Sequence, residues 1–260
     1  MDDLTMVERV PGPALRPYVT GLYAYRERYA RPHVRLEAAM PGAVLILGFG
    51  APMEVDGSRF TSFTGGLSDR YTVTTTQAPT EGVEALLTPF GARRLYRVPM
   101  RELTNLVVPA DDLLAGWAER LGQVAGWHER LARFETMLTT RILGGPEPRG
   151  EVGWAWARLL ESGGSVSAAA LSEELGWSHR HLVARFHEEI GLAPKAAARL
   201  IRFERARNLL RSGVPPAQAA AACGYYDQAH MNRDFRLFCG ETPGQIFPRP
   251  PVAAPADSAV

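Results

Sequence analysis

The chain has 260 residues, room for two domains of ordinary size, and its 46% hydrophobic and 22% charged fractions exclude a disordered or fibrous protein. No apolar run approaches the ~20 residues of a membrane-spanning helix, and the acidic start MDDLTMVERV has no apolar signal core, which predicts a cytoplasmic protein with no membrane partner. A net charge of +1 excludes binding to polyanions through global charge, so any nucleic-acid contact must come from local clustering.

In chain order, β-type segments at 22–25, 44–49, 60–63, 71–76 and 83–88 alternate with turn signals at Pro41-Gly42, Asp56-Gly57 and Gly65-Gly66. This spacing predicts a small antiparallel sheet or half-open barrel. After Pro89 the pattern changes. Residues 91–96 read as a short helix, and 111–143 carry helical apolar spacing through Leu113, Trp117, Leu121, Trp127, Leu131, Phe134 and Leu138, predicting one or two helices that cover the sheet or pack on a partner subunit. Gly and Pro residues at 144–150 interrupt every pattern, and the domain boundary is expected there, with 1–143 on one side and 151–248 on the other.

Beyond the boundary the chain reads as helical at 152–161, 166–175, 178–190, 194–211, 216–223 and 227–239, followed by a short turn from Pro243. Ser178 stands as an N-cap, Gly176, Gly191, Gly213 and Gly240 as stops, and Pro194, Pro216 and Pro243 at helix starts. The Pro/Ala-rich segment 249–260 is expected to be disordered. The predicted fold class is therefore α+β, a β-rich N-terminal half with covering helices followed by an all-α C-terminal half.

Residues 166–190 and 216–239 share one layout. Each has an Ala-rich helix, a Gly-aromatic turn (Gly176-Trp177, Gly224-Tyr225), and a second helix in which Leu182 and Phe186, or Met231 and Phe235, stand four apart before a Gly-X-X-Pro stop. This is a helix-turn-helix unit occurring twice. At 1.5 Å per residue the helix between the units is ~27 Å long, close to the ~34 Å between successive major-groove faces on one side of B-DNA.

The segments LSEELGWSHRHLVARFHEEIGLAPK and GYYDQAHMNRDFRLFCGETPGQI make residues 151–248 resemble the DNA-binding domain of the AraC/XylS family of transcriptional regulators. Residues 1–143, chiefly LLTPFGARRLYRVPMRELTN, resemble the β-rich N-terminal domains attached to some members. The resemblance implies two reading helices joined by a long helix, with double-stranded DNA as the partner. It also implies regulation of transcription, as an activator or otherwise, with RNA polymerase as a candidate partner. Carried over by position, the DNA-contacting set is Ser178, His179, Arg180, Val183 and Ala184 in the first unit and Asp227, Gln228, His230, Asn232 and Arg233 in the second. Gln and Asn suit adenine, and Arg suits guanine or phosphate. Ala184 departs from the family pattern, where a polar or basic residue is frequent, and Arg185 stands where an apolar one is usual. The second unit is thus expected to carry more of the polar readout.

For the N-terminal half two roles are open: a sensor that binds a small-molecule effector, or a module that only forms a homodimer. A pocket between the sheet and the helix at 111–143, lined by Tyr23, Tyr25, Phe49, Phe63 and Tyr71, would serve the first. Those aromatics equally suit a sheet core. His179, His181 and His187 lack the spacing and companions of a metal site, and Trp154, Trp156 and Trp177 read as core. Arg199, Arg202, Arg205, Arg207 and Arg211 read as a solvated face with Glu204, and Cys223 and Cys239 as small core residues. Gly48 and Gly50 lack the third glycine of a dinucleotide loop, Asp111-Asp112 read as a helix start, and no residue set argues for catalysis or a cofactor.

Overall fold

The computed structural model describes residues 3–247, so the expectation for 249–260 lies outside the described residues. In chain order the N-terminal half carries β1 (Asp3–Arg9), β2 (Val19–Arg28), β3 (His33–Glu37), β4 (Ala43–Gly48), β5 (Met53–Val55), β6 (Ser58–Phe60), β7 (Phe63–Gly65), β8 (Thr72–Thr76), β9 (Thr80–Leu87), α1 (Pro89–Tyr96), β10 (Val107–Pro109), α2 (Trp117–Gly122) and α3 (Trp127–Leu143). The strands make two antiparallel sheets, one in the order β1-β2-β9-β4-β7-β10 and a smaller one in the order β3-β8-β5-β6.

Strand alternation sorts the side chains of the larger sheet between two environments. Ala43, Leu45 and Leu47 of β4 and Val83, Ala85 and Leu87 of β9 are fully buried in the main core, which extends to Leu131, Phe134, Leu138 and Ile142 of α3. Their strand neighbours Val44, Ile46, Glu84 and Leu86 face the other way, toward the smaller sheet. The helices therefore cover one face of the larger sheet, while its other face looks onto β3, β5 and β8. Arg130 fastens the covering layer, donating to Glu81 Oε1 at 2.9 Å with its guanidinium over the Phe49 ring.

Several local expectations are corrected. The segment 60–63 is not one strand: β6 ends at Phe60 and β7 starts at Phe63, in different sheets, after a bend at Thr61-Ser62. Gly65 is not a turn residue but pairs with Val44 and Val107 inside β7. By contrast Asp56-Gly57, both with positive φ, close a two-residue hairpin between Val55 and Ser58. The 111–143 stretch divides at Gly122 and Gly126 into α2 and α3, after a short 3-10 turn at Ala110–Asp112.

The C-terminal half carries α4 (Gly150–Glu161), α5 (Ala168–Glu174), α6 (His179–Ile190), α7 (Pro194–Arg211), α8 (Pro216–Ala222), α9 (Gln228–Cys239) and α10 (Pro243–Ile246). The helix expected from 166 begins two residues later because Ser167 caps it, accepting from the Ala170 amide at 3.1 Å. Helix α7 is buried on several sides, through Ala197, Leu200, Ile201, Phe203, Ala206 and Leu210, so it is a spine shared by both units rather than a one-faced amphipathic helix. Phe203 lies at its centre, with its ring 4.8 Å from Phe235 and 5.1 Å from Phe238 of α9. Trp156 of α4 makes the matching contact in the first unit, 6.2 Å from Phe186 of α6. Cys223 and Cys239 are free and buried.

Candidate DNA-recognition surface and N-terminal cavity

The two units are built on one frame. In α6 the Ser178 hydroxyl accepts from the His181 amide at 3.2 Å, and in α9 the Asp227 carboxylate accepts from the His230 amide at 2.6 Å. Both histidine rings then stand edge-on to the aromatic of the preceding turn: His181 is 4.5 Å from Trp177 and His230 is 5.2 Å from Tyr225, at interplanar angles of 86° and 88°. Helix starts are fixed in this way by a cap and a ring contact, and each helix presents its outer row at a defined angle. Gly191 and Gly240 end the two helices in the left-handed conformation.

His179, Arg180 and Ala184 are exposed on α6, and Gln228 and Arg233 are exposed on α9. Val183 and His230 are half-buried, and so is Asn232, whose Oδ1 is enclosed without a hydrogen-bond partner. Ser178 and Asp227 use their side-chain oxygens as caps.

Two exposed residues escaped the sequence reasoning. The turn of the second unit is one residue longer than that of the first, and since Tyr225 takes the place of Trp177, the extra residue is Tyr226, which is 93% exposed. Arg236 is also exposed, and it continues the row Tyr226, Ala229, Arg233 at helical spacing. The spacing from Arg233 was a legible signal for Arg236, whereas the protrusion of Tyr226 depends on the alignment of the two turns.

Two arginines on α7 do more than form a solvated face. Arg199 donates to Asp234 Oδ1 at 2.6 Å, and Asp234 is only 1% exposed, so this pair ties α7 to α9. Arg202 donates to the Gly164 carbonyl at 2.9 Å with its guanidinium over the Tyr225 ring. Arg207 and Arg211 bond within their own helix to Glu204 and Asn208.

The C-terminal ends of both outer helices rest on the N-terminal half. At α9 the Ala39 amide donates to the Phe238 carbonyl at 2.7 Å and the Tyr71 amide to the Leu237 carbonyl at 3.2 Å. At α6 the Thr104 hydroxyl donates to the Gly191 carbonyl. These bonds satisfy carbonyls that a helix end leaves without partners. Ala38, Ala39, Met40, Arg70 and Thr72 on one side, and Asn105 on the other, also line a cavity in the N-terminal half.

That cavity, of about 360 Å³, lies between the two sheets and not between the sheet and α3 as the sequence suggested. Of the five aromatics expected to line it, Tyr25 and Phe63 do so. Tyr23 is not among its walls, Phe49 lies under Arg130, and Tyr71 lies beside Gly240. Its polar walls, which the sequence did not reveal, include Glu27, Arg35, Glu37 and Glu84 with Thr72 and Thr74. Arg35 pairs with Glu27 at 2.7 Å and with Glu37 at 3.0 Å. Burial, reinforced by the charges of Glu37 and Glu27, pushes the Glu84 carboxyl up to about 7. Among the described residues no group of His, Cys, Asp and Glu forms a metal site, and no helix is long and apolar enough to cross a membrane.

Two capped helix pairs on a common spine define a double helix-turn-helix protein. Residues 171–249 match the family described as a helix-turn-helix domain. Over 87 residues the chain is 39% identical to an uncharacterized HTH-type transcriptional regulator, YbfI, of Bacillus subtilis strain 168. That match takes in 33% of this chain and 32% of the relative, about a third of each. In fold the chain is similar to ToxT of Vibrio cholerae O395 at a TM-score of 0.50 and 10% identity, over 86% of this chain and 95% of that one. A similar likeness, with a TM-score of 0.50 and 11% identity over 92% and 96% of the two chains, holds for wild-type ToxT of V. cholerae strain SCE256 with an unsaturated fatty acid bound.

Proposed function

We propose that this protein is a sequence-specific DNA-binding transcription regulator of the cytoplasm, in which α6 and α9 of one chain enter adjacent major grooves and the N-terminal half, residues 1–143, modulates their grip. The observation that carries the proposal is the duplicated frame itself. Both outer helices are capped alike and present exposed rows, His179, Arg180 and Ala184 on one and Gln228, Arg233 and Arg236 on the other. Of the residues expected at the DNA, His179, Arg180, Gln228 and Arg233 are exposed polar side chains that can reach base edges or phosphates, with Ala184 beside a thymine methyl. Ser178, Asp227 and His230 set the helix starts.

Modulation follows from the shared walls. A ligand that shifts the chain at 38–40 or 70–72 acts on the residues that cap α9, and one that shifts 104–106 acts on the cap of α6. Binding of a fatty acid by the similarly folded ToxT supports a small-molecule role for this cavity. A second role for the N-terminal half, dimerisation, is favoured by β1: it is an edge strand of the larger sheet, with Leu4 57% and Met6 54% exposed. Sedimentation of the full chain separates the two, since a monomer at working concentration excludes dimerisation through β1.

The test of DNA binding is a titration of the full chain against a fragment selected from genomic DNA and against a scrambled one, across salt concentrations. The proposal expects affinity that falls with salt on both and a preference of about 10³-fold or more for the selected site. Equal affinity for both fragments contradicts it.

A further inference from the structure

The cavity between the sheets is apolar at one end and acidic at the other. Met53, Phe63 and Val107 form part of the apolar end, and Tyr25, Glu27, Glu37 and Glu84 surround Arg35 at the other. Counting the rim, four carboxylates (Glu27, Glu37, Asp56, Glu84) face two guanidiniums (Arg35, Arg70). Arg35 already pairs with two of these carboxylates, through Nη1 to Glu27 Oε1 and through Nε to Glu37 Oε1. The residue Glu27 is only 5% exposed, yet its second oxygen, Oε2, is enclosed with no hydrogen-bond partner. A buried carboxylate oxygen left unpaired is costly, and an N–H donor arriving from a ligand removes that cost.

We propose that this cavity binds a protonated amine carried on a small apolar body, with the ammonium held among Glu27, Glu37 and Glu84 and the apolar part against Met53, Phe63 and Val107. The proposal rests on the cavity's role as an effector site argued above, and adds the chemical class of the effector. An ammonium supplies both missing elements, donors for Glu27 Oε2 and positive charge for a site with more carboxylates than guanidiniums. Glu84 reports the same deficit. Burial and its acidic neighbours hold its carboxyl near 7, and a cation bound beside it returns it toward the ionised form. A fatty-acid carboxylate would instead add another anion beside Glu27 and Glu37, with Glu84 partly protonated near pH 7. The polar end thus separates this cavity's ligand from that of the similarly folded fatty-acid-binding protein.

The experiment is calorimetric titration of the full chain at pH 7 with three probes of one shape, 4-phenylbutylamine, 4-phenylbutanol and 4-phenylbutanoate, repeated with hexylamine, hexanol and hexanoate. Each amine is expected to bind at least tenfold more tightly than its alcohol, and the carboxylates least of all. Glu27→Gln and Glu84→Gln, each near-isosteric, are expected to weaken amine binding about tenfold or more and to narrow the amine's advantage over the alcohol. Alcohol or carboxylate binding as tight as the amine overturns the proposed ligand class and leaves the cavity an effector site. Absence of binding by all six probes overturns this proposal too, while the DNA titration above reports separately on the regulator itself. The wild-type comparison among probes decides the matter even if a variant fails to fold.

Discussion

The Ala39 amide donates to the Phe238 carbonyl across 2.7 Å, so a residue in the cavity wall holds the last turn of α9. Next to this bond Gly240 takes φ +78°, and a Cβ there would lie 2.8 Å from Leu36 Cδ1 and 3.4 Å from the Tyr71 ring. Gly240→Ala should therefore combine backbone strain with displacement of the Leu36 side chain, and cost about 2 kcal/mol by urea denaturation. Gly176, at φ +65° with nothing within 4 Å of a Cβ, carries the strain alone. Gly176→Ala should cost about 1 kcal/mol. Equal costs would mean that the contact at Gly240 holds nothing.

The ion pair between Arg199 and Asp234 predicts an asymmetry along α7. Arg199→Leu leaves the Asp234 carboxylate buried without its cation, an effect of roughly 3 kcal/mol for a pair enclosed on one side only. Arg205, exposed on the same helix, should tolerate Ala within about 0.5 kcal/mol. Chemical denaturation of the two variants checks the difference.

Glu84 predicts a pH dependence. Its carboxyl rises from an ordinary 4.5 to about 7 on folding, chiefly through burial and then through Glu37 and Glu27, with Arg35 opposing. The folded state therefore holds this proton more tightly than the unfolded chain. Its contribution is full below pH 4.5 and is lost as pH rises through 7. Relative to Glu84→Gln, the wild type should lose up to about 3 kcal/mol between pH 4.5 and pH 8, measured by urea unfolding in matched buffers. Parallel pH profiles for the two proteins would contradict this.

The sequence revealed the helical half closely because its signals are local. Ser178, Gly191, Pro194, Gly240 and Pro243 each act within a turn of where they stand, and all sit where capping chemistry requires. Strands without a clean buried alternation were harder to read. β1 is exposed along nearly its whole length and β3 along most of its own, so neither carries a clean buried alternation. Phe60 and Phe63 looked like one strand because sequence spacing does not reveal that the chain changes sheets between them. The acidic end of the cavity was invisible for the same reason. Glu27, Glu37 and Glu84 come from three strands and meet only when the two sheets face each other.

On the DNA side, Arg233→Ala should reduce binding to the selected site by about 1 to 3 kcal/mol and relax preference at one base pair. Arg236→Ala should weaken selected and scrambled DNA alike, as a phosphate contact does. Competition binding at fixed salt distinguishes the two patterns.

The central claim is that one chain places α6 and α9 in successive turns of the major groove. Interference footprinting of the full chain on its selected fragment tests it most directly. The account predicts two clusters of contacted bases about 10 base pairs apart on one face of the duplex, one lost in Arg180→Ala and the other in Arg233→Ala. A single cluster, or one that both substitutions erase together, would contradict it.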